Sequence, residues 1–370
     1  MNVKKLLMGA AAVVAMGSCS GTSADAGSGS DRLTLIVGSY SAAGDSALCV
    51  YSFDPADGSA ELVRRLPADN ASFLAAGDSG VIYALSESGA ATSAITALRP
   101  DGEVLVRRPV GSADPCYVAV SPDGRFAVTA NYTGGTVAVF PILADGSLGA
   151  RRQLIAFEGS GPVAGRQDTP HPHCIAFTPD GRYMLVDDLG TDRIHQFAVQ
   201  AGADSLVGSV PDAEVVIRAG SGPRHITFNA GGDMAYLLNE LSDEVAVLRY
   251  DGTTLTPVQY IAADAVGAGG AADIHLSADG RHLYASLRLK HDGIALFDVD
   301  PATGMLTRRS HTPTAGHPRN FTLTPDGRYM LVACRDADAV QIFAVDPDTG
   351  ALADTGRSIP QSRAVFVSFL

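Results

Sequence analysis

Five of the nine histidines in this chain, His171, His173, His225, His275 and His317, stand at or just before short apolar runs, and arginines accompany them: Arg224 beside His225, and Arg319 with Asn320 just after His317. Behind other apolar runs come Asn131, Asp187 and Asp188, Asn239 and Glu240, Arg288 and Arg335. Packing alone does not call for residues of these types at such places. Arginines gathered around a carboxylate can position an anionic or carbonyl group. A His or Glu beside them can accept a proton from water.

The runs that carry these residues repeat. Ser-Pro-Asp-Gly-Arg at 121–125 recurs as Thr-Pro-Asp-Gly-Arg at 178–182, Ser-Ala-Asp-Gly-Arg at 277–281 and Thr-Pro-Asp-Gly-Arg at 324–328. Ala-Gly-Gly-Asp at 230–233 is a degenerate copy. Each copy has alternating apolar runs on both sides, the pattern of a hairpin in which Pro and Asp open the turn and Gly supplies a positive φ. The turn glycines Gly80, Gly124, Gly181, Gly232, Gly280 and Gly327 are 44, 57, 51, 48 and 47 residues apart. A period of this size built from short strands predicts propeller blades.

Six full units begin near Ser72, Cys116, His173, Arg224, Ala272 and Arg319. The segment Leu33 to Leu66 holds only three strands, and Ala-Val-Phe-Val-Ser-Phe at 364–369 is a strand without a neighbour. Placing it as the innermost strand of the first segment predicts an all-β, seven-bladed β-propeller closed by the C-terminal strand, with no open edge. In such a blade the innermost strand begins and the second strand ends on the same face, near the axis. The polar residues named above therefore converge on one rim.

At these residues the chain resembles the lactonase family of seven-bladed propellers, which includes bacterial propeller-type 6-phosphogluconolactonases and fungal carboxymuconate-lactonising propellers. The strings are His-Pro-His-Cys-Ile-Ala-Phe-Thr-Pro-Asp-Gly-Arg from 171, Asp-Asp-Leu-Gly-Thr-Asp-Arg-Ile from 187, Gly-Ser-Gly-Pro-Arg-His-Ile-Thr-Phe from 220, Asn-Glu-Leu from 239, Ala-Asp-Ile-His-Leu-Ser-Ala-Asp-Gly-Arg from 272 and Pro-Arg-Asn-Phe from 318. The resemblance implies hydrolysis of a sugar lactone without a cofactor. It places His171 or His173, Arg224, Glu240 and Arg288 in the catalytic set. Glu240 or one of the two histidines would be general base, and Arg224 and Arg288 would stabilise the oxyanion. His225, His275, Arg319, Asn320, Asn131, Asp188 and Arg335 would bind substrate. Two further readings are a ligand-binding or scaffolding propeller without turnover, and muconate-type lactonising or isomerising chemistry.

Composition narrows the field. Hydrophobic residues at 46% against 18% charged exclude disorder. A net charge of −13 has the wrong sign for a binder of nucleic-acid backbones. Lys4, Lys5 and Lys290 are the only lysines, and no Gly-rich loop surrounds Lys290, which argues against Schiff-base and phosphate-loop chemistry. No Gly-X-Ser-X-Gly elbow suggests a serine nucleophile, and no metal site is expected. The absence of Trp argues against WD40 repeats. Cys49, Cys116, Cys174 and Cys334 fit no zinc or redox spacing and read as buried thiols.

The N-terminus reads as an address. Lys4 and Lys5 precede the apolar stretch Leu6 to Met16, and Met16-Gly17-Ser18-Cys19 is similar to a bacterial lipobox. The expectation is a leader over residues 1–18, a Ser- and Gly-rich tether over 19–31 and a single propeller domain over 32–370. The product would be an exported, periplasmic monomer held to the membrane only by a lipid at Cys19. Phosphogluconolactone is made inside cells, so export points toward a different lactone.

Overall fold

The computed structural model describes residues 32–40, 47–77, 79–200, 202 and 204–370. The leader, the tether and Cys19 lie outside the described residues. Strands alternate with tight turns, and among the described residues the only helical element is a 3-10 turn at Arg335–Ala337.

The repeated turn explains the strands around it. In four blades a Ser or Thr hydroxyl (Ser121, Thr178, Ser277, Thr324) donates to the Asp two residues on. The same hydroxyl accepts the N–H of the residue five on. Gly124, Gly181, Gly280 and Gly327 follow with φ of 68 to 70°, a region that costs other residues energy. The two strands leaving the turn are held in register, and their alternating apolar residues face the neighbouring blades.

Seven four-stranded antiparallel sheets result, each lettered A to D outward from the axis. Strands A of the second to seventh blades are Leu74–Ala76, Pro115–Val120, Pro172–Phe177, Pro223–Phe228, Ala271–Leu276 and Pro318–Leu323. The first blade takes its strand A from the far end of the chain, as expected. Ala364–Phe369 pairs with Leu33–Ser39, with Leu35 opposite Phe369 and Val37 opposite Val367. The core is correspondingly divided. Seven apolar clusters of described residues each fill the space between two adjacent blades, from Ile36, Leu74 and Ile82 between the first and second to Leu35, Phe53 and Leu331 between the seventh and first. Cys49, Cys116, Cys174 and Cys334 are buried, and none is in a disulfide among the described residues.

An aspartate at the head of strand C ties each of four blades to the next. Asp192 accepts the N–H groups of Gly220 and Gly222, and Asp243 those of Gly269, Gly270 and Ala271. Asp292 accepts from His317 and Asp338 from Arg363. Each of these N–H groups lies in the connection into the next strand A or, for Ala271, on the first residue of that strand. The carboxylates therefore fix the chain just where the rim residues leave the sheet.

Candidate active site

Arg224 is the second residue of its strand A, Glu240 follows strand B of the same blade, and Arg288 follows strand B of the next. All three reach the same end of the axis. The Glu240 carboxylate is divided among guanidiniums. Its Oε2 takes Arg224 Nε at 2.9 Å and lies 3.1 Å from Arg288 Nη2, while Oε1 takes Arg166 Nη2 at 2.6 Å. Burial would push its pKa up, but Arg288, Arg224 and Arg166 outweigh burial and hold it down at about 2. It stays an anion and has no tendency to take a proton.

Each arginine is held differently. Arg224 is 1% exposed and committed to Glu240, His225 Nε2 and the Ala272 carbonyl. Arg288 donates to the carbonyls of Gly270 and Ala271, and burial lowers its pKa to about 9 despite Glu240. The Arg166 side chain, 40% exposed, reaches in from a long connection ahead of His171. Arg319 has no hydrogen bond from its guanidinium to a described residue. It lies 3.9 Å from Glu87 and over the ring of Tyr40, whose hydroxyl donates to Glu87. Arg319 is thus a charged group with N–H donors to spare.

The two histidines of the pair diverge. His171 stacks on Tyr132 at 4.3 Å, and its Nδ1 lies 2.9 Å from the Tyr132 carbonyl. A carbonyl only accepts, so Nδ1 carries the proton and Nε2 keeps its lone pair. The ring is half-buried, and Arg166 lies beside the Tyr132 hydroxyl, which connects His171 to the Glu240 cluster. His173 is buried beneath, its Nδ1 unpartnered, and burial with the charge of Arg224 pushes its pKa well below the usual value.

Other residues singled out in the sequence fall elsewhere. Asn131 is fully buried and bonded to Thr129 and Thr136 within its own blade. Asp188 is consumed by the Gly190 and His171 N–H groups, the Thr191 hydroxyl and His195. Arg335 turns outward onto Asp336. His225, His275 and Asn320 line a cavity of about 260 Å³ farther along the axis, with Asp273 and the rings of Phe73, Tyr117, Phe321 and Phe366. Asn131 and Asp188 thus have their polar atoms bonded within the protein, Arg335 faces Asp336, and His225, His275 and Asn320 face the axial cavity rather than the Glu240 cluster.

The sequence reading missed Arg166, Tyr132, Tyr40 and Glu87. Arg166 had a signal, because the step of 57 residues between Gly124 and Gly181 exceeds all the others and the excess is the connection that carries it. Among the described residues no group of three or more His, Cys, Asp or Glu is placed to hold a metal ion.

Fold and rim together define a seven-bladed propeller whose axial end frames a carboxylate with arginines. The family described as Lactonase, 7-bladed beta-propeller matches residues 34–369, and the chain belongs to it. A 6-phosphogluconolactonase of Formosa agariphila is 32% identical over 85% of this chain and 92% of its own length. A solved structure from Bacteroides fragilis superposes with a TM-score of 0.89 at 39% identity, covering 94% of this chain and 100% of that one. The periplasmic gluconolactonase of Pseudomonas aeruginosa gives a TM-score of 0.86 at 31% identity over 92% and 99%.

Proposed function

We infer that this chain is a hydrolase that opens a sugar lactone by attack of water on the ester carbonyl. The observation that carries the mechanism is the pairing of a fixed imidazole lone pair on His171 with guanidiniums organised by Glu240. Glu240 is their anchor and His171 is the base: it takes the proton from water, its tautomer set by Tyr132. Arg319 and Arg288 receive the negative charge that grows on the carbonyl oxygen, while Arg224 works from behind. Collapse of the adduct breaks the ring C–O bond, the leaving alkoxide takes the proton held by His171, and the product is a hydroxy acid whose carboxylate suits the same arginines.

We propose further that the protein is exported and anchored at Cys19, on the strength of Lys4, Lys5, the apolar Leu6 to Met16 stretch and the likeness to a periplasmic gluconolactonase. An exported enzyme would meet sugar lactones that carry no phosphate. The test is acid release from gluconolactone and from phosphogluconolactone. Turnover of gluconolactone that drops about 10² to 10⁴-fold in His171→Gln is expected. No acid release from either lactone by the wild-type protein would refute the reading. Cys19→Ser should move the protein from the membrane fraction to the soluble one, whereas an unprocessed cytoplasmic product would refute export.

A further inference from the structure

Below the arginines, the axis holds a carboxylate that the reaction itself does not use. The pairing of strands A and B in the sixth blade skips from Ala271 to Ile274, an irregularity that turns Asp273 toward the axis. Four donors converge on it. Oδ1 accepts His225 Nδ1 at 2.8 Å, and Oδ2 accepts His275 Nε2 at 2.9 Å, the Phe321 N–H at 3.2 Å and the Asn320 amide. Burial would raise its pKa, but His275 and His225 outweigh burial and lower it, so Asp273 is ionised and can only accept.

That fixes the tautomer of His225. With Nδ1–H given to Asp273, Nε2 offers a lone pair, and Arg224 Nη1 donates to it at 3.1 Å. The adjacent Ala272 carbonyl takes the same nitrogen. Arg224 is thereby aligned so that its Nε meets Glu240 at 2.9 Å. The chain Asp273, His225, Arg224, Glu240 runs without a gap from the middle of the axis to the rim.

We propose that Asp273 is a positioning residue for the lactonase reaction, acting through the His225 tautomer to hold Arg224, and with it Glu240, in the geometry that organises the site. This rests on the reading of the rim as the lactone site. The experiment is built so that the two can fail separately.

Asp273→Asn keeps the shape but offers one acceptor oxygen to the four donors. In ¹⁵N-histidine spectra of the wild-type protein, His225 should be in the Nδ1–H form, and the variant should lose it. This readout needs no turnover, so it survives even if the lactone reading fails. A wild-type His225 protonated on Nε2 would overturn the proposal. With gluconolactone, kcat of Asp273→Asn should fall on the order of 10²-fold with a smaller change in KM. The same substitution in an Arg224→Lys background should add little, because its route is already broken. Additive losses would show a merely structural role and overturn the proposal. If Asp273→Asn does not fold, His225 carries the test: His225→Gln, which can still donate toward Asp273 and accept from Arg224, should keep most of the turnover that His225→Leu loses. Equal loss in the two would overturn it.

Discussion

Glu240 keeps its charge in a buried place because three guanidiniums face it, and that arrangement separates its role from that of His171. A carboxylate with a pKa of about 2 does not titrate between pH 5 and 9. Glu240→Gln should therefore lower kcat by loosening the arginines while leaving the shape of the kcat/KM profile over that range as in the wild type. A pH limb lost in that variant would make Glu240 the base. The same carboxylate carries a stability signature. Its folded-state pKa lies below the ordinary value of 4.5, so its contribution is present above about pH 4.5 and is lost as pH falls toward 2. Thermal unfolding across that window should be less steep in Glu240→Gln than in the wild type. Asp187 shows the opposite sign: burial raises its pKa to about 8, outweighing the opposing effect of the Cys174 thiol beside it. Folding keeps on it a proton that water would remove, so stability declines as pH rises from about 4 to 8. Asp187→Asn should raise the melting temperature at pH 8, with the gain shrinking toward pH 4.

At the scale of strands and connections, the rim is only as accurate as the joints between blades. Asp243 takes three N–H groups from the connection that leads to Asp273 and lies against Arg288, so its removal orphans buried donors. Asp243→Ala should cost about 1 to 3 kcal/mol, measured by denaturant unfolding. These joints also mark where the sequence stops being readable. The Asp-Gly turns are local, four residues supplying all the bonds they need, so the strands could be placed from pattern alone. Asp192 and Asp243 act on glycines 26 to 30 residues away, and nothing near them in the chain announces it. The same holds for the site. The string positions of Arg224, Glu240 and Arg288 were legible because each sits at a strand end. Whether a polar side chain at such an end faces the substrate or is spent inside its own blade, as with Asn131 and Asp188, depends on contacts that spacing does not encode.

For the molecule as a whole, closure joins residues more than three hundred positions apart. Gln361 reaches Tyr51 and Ser39, 310 and 322 positions away, while Phe366 packs against Phe73 of the second blade and the Val367 N–H donates to Asn320 of the seventh. Removing residues 363–370 would strip the first blade of its strand A and expose the backbone of Leu33–Ser39 beside the axis. The buried Val365, Phe366 and Val367 are each worth on the order of 1.5 to 3 kcal/mol, together comparable with the net stability of a domain. The truncated chain should be insoluble or markedly destabilised, as judged by soluble yield and melting temperature. A soluble product with an unchanged melting temperature would refute this account of closure. The pairing of Leu35 with Phe369 also gives the protein an up and a down. Leu33–Ser39 is a strand B, so its first residue lies at the end of the axis away from the arginines. On the proposed lipidation of Cys19, the anchored segment would then join the propeller at its underside, at the end away from the arginines. Hydrolysis of gluconolactone should accordingly run at the same rate on vesicle-bound protein as on the freed Cys19→Ser form.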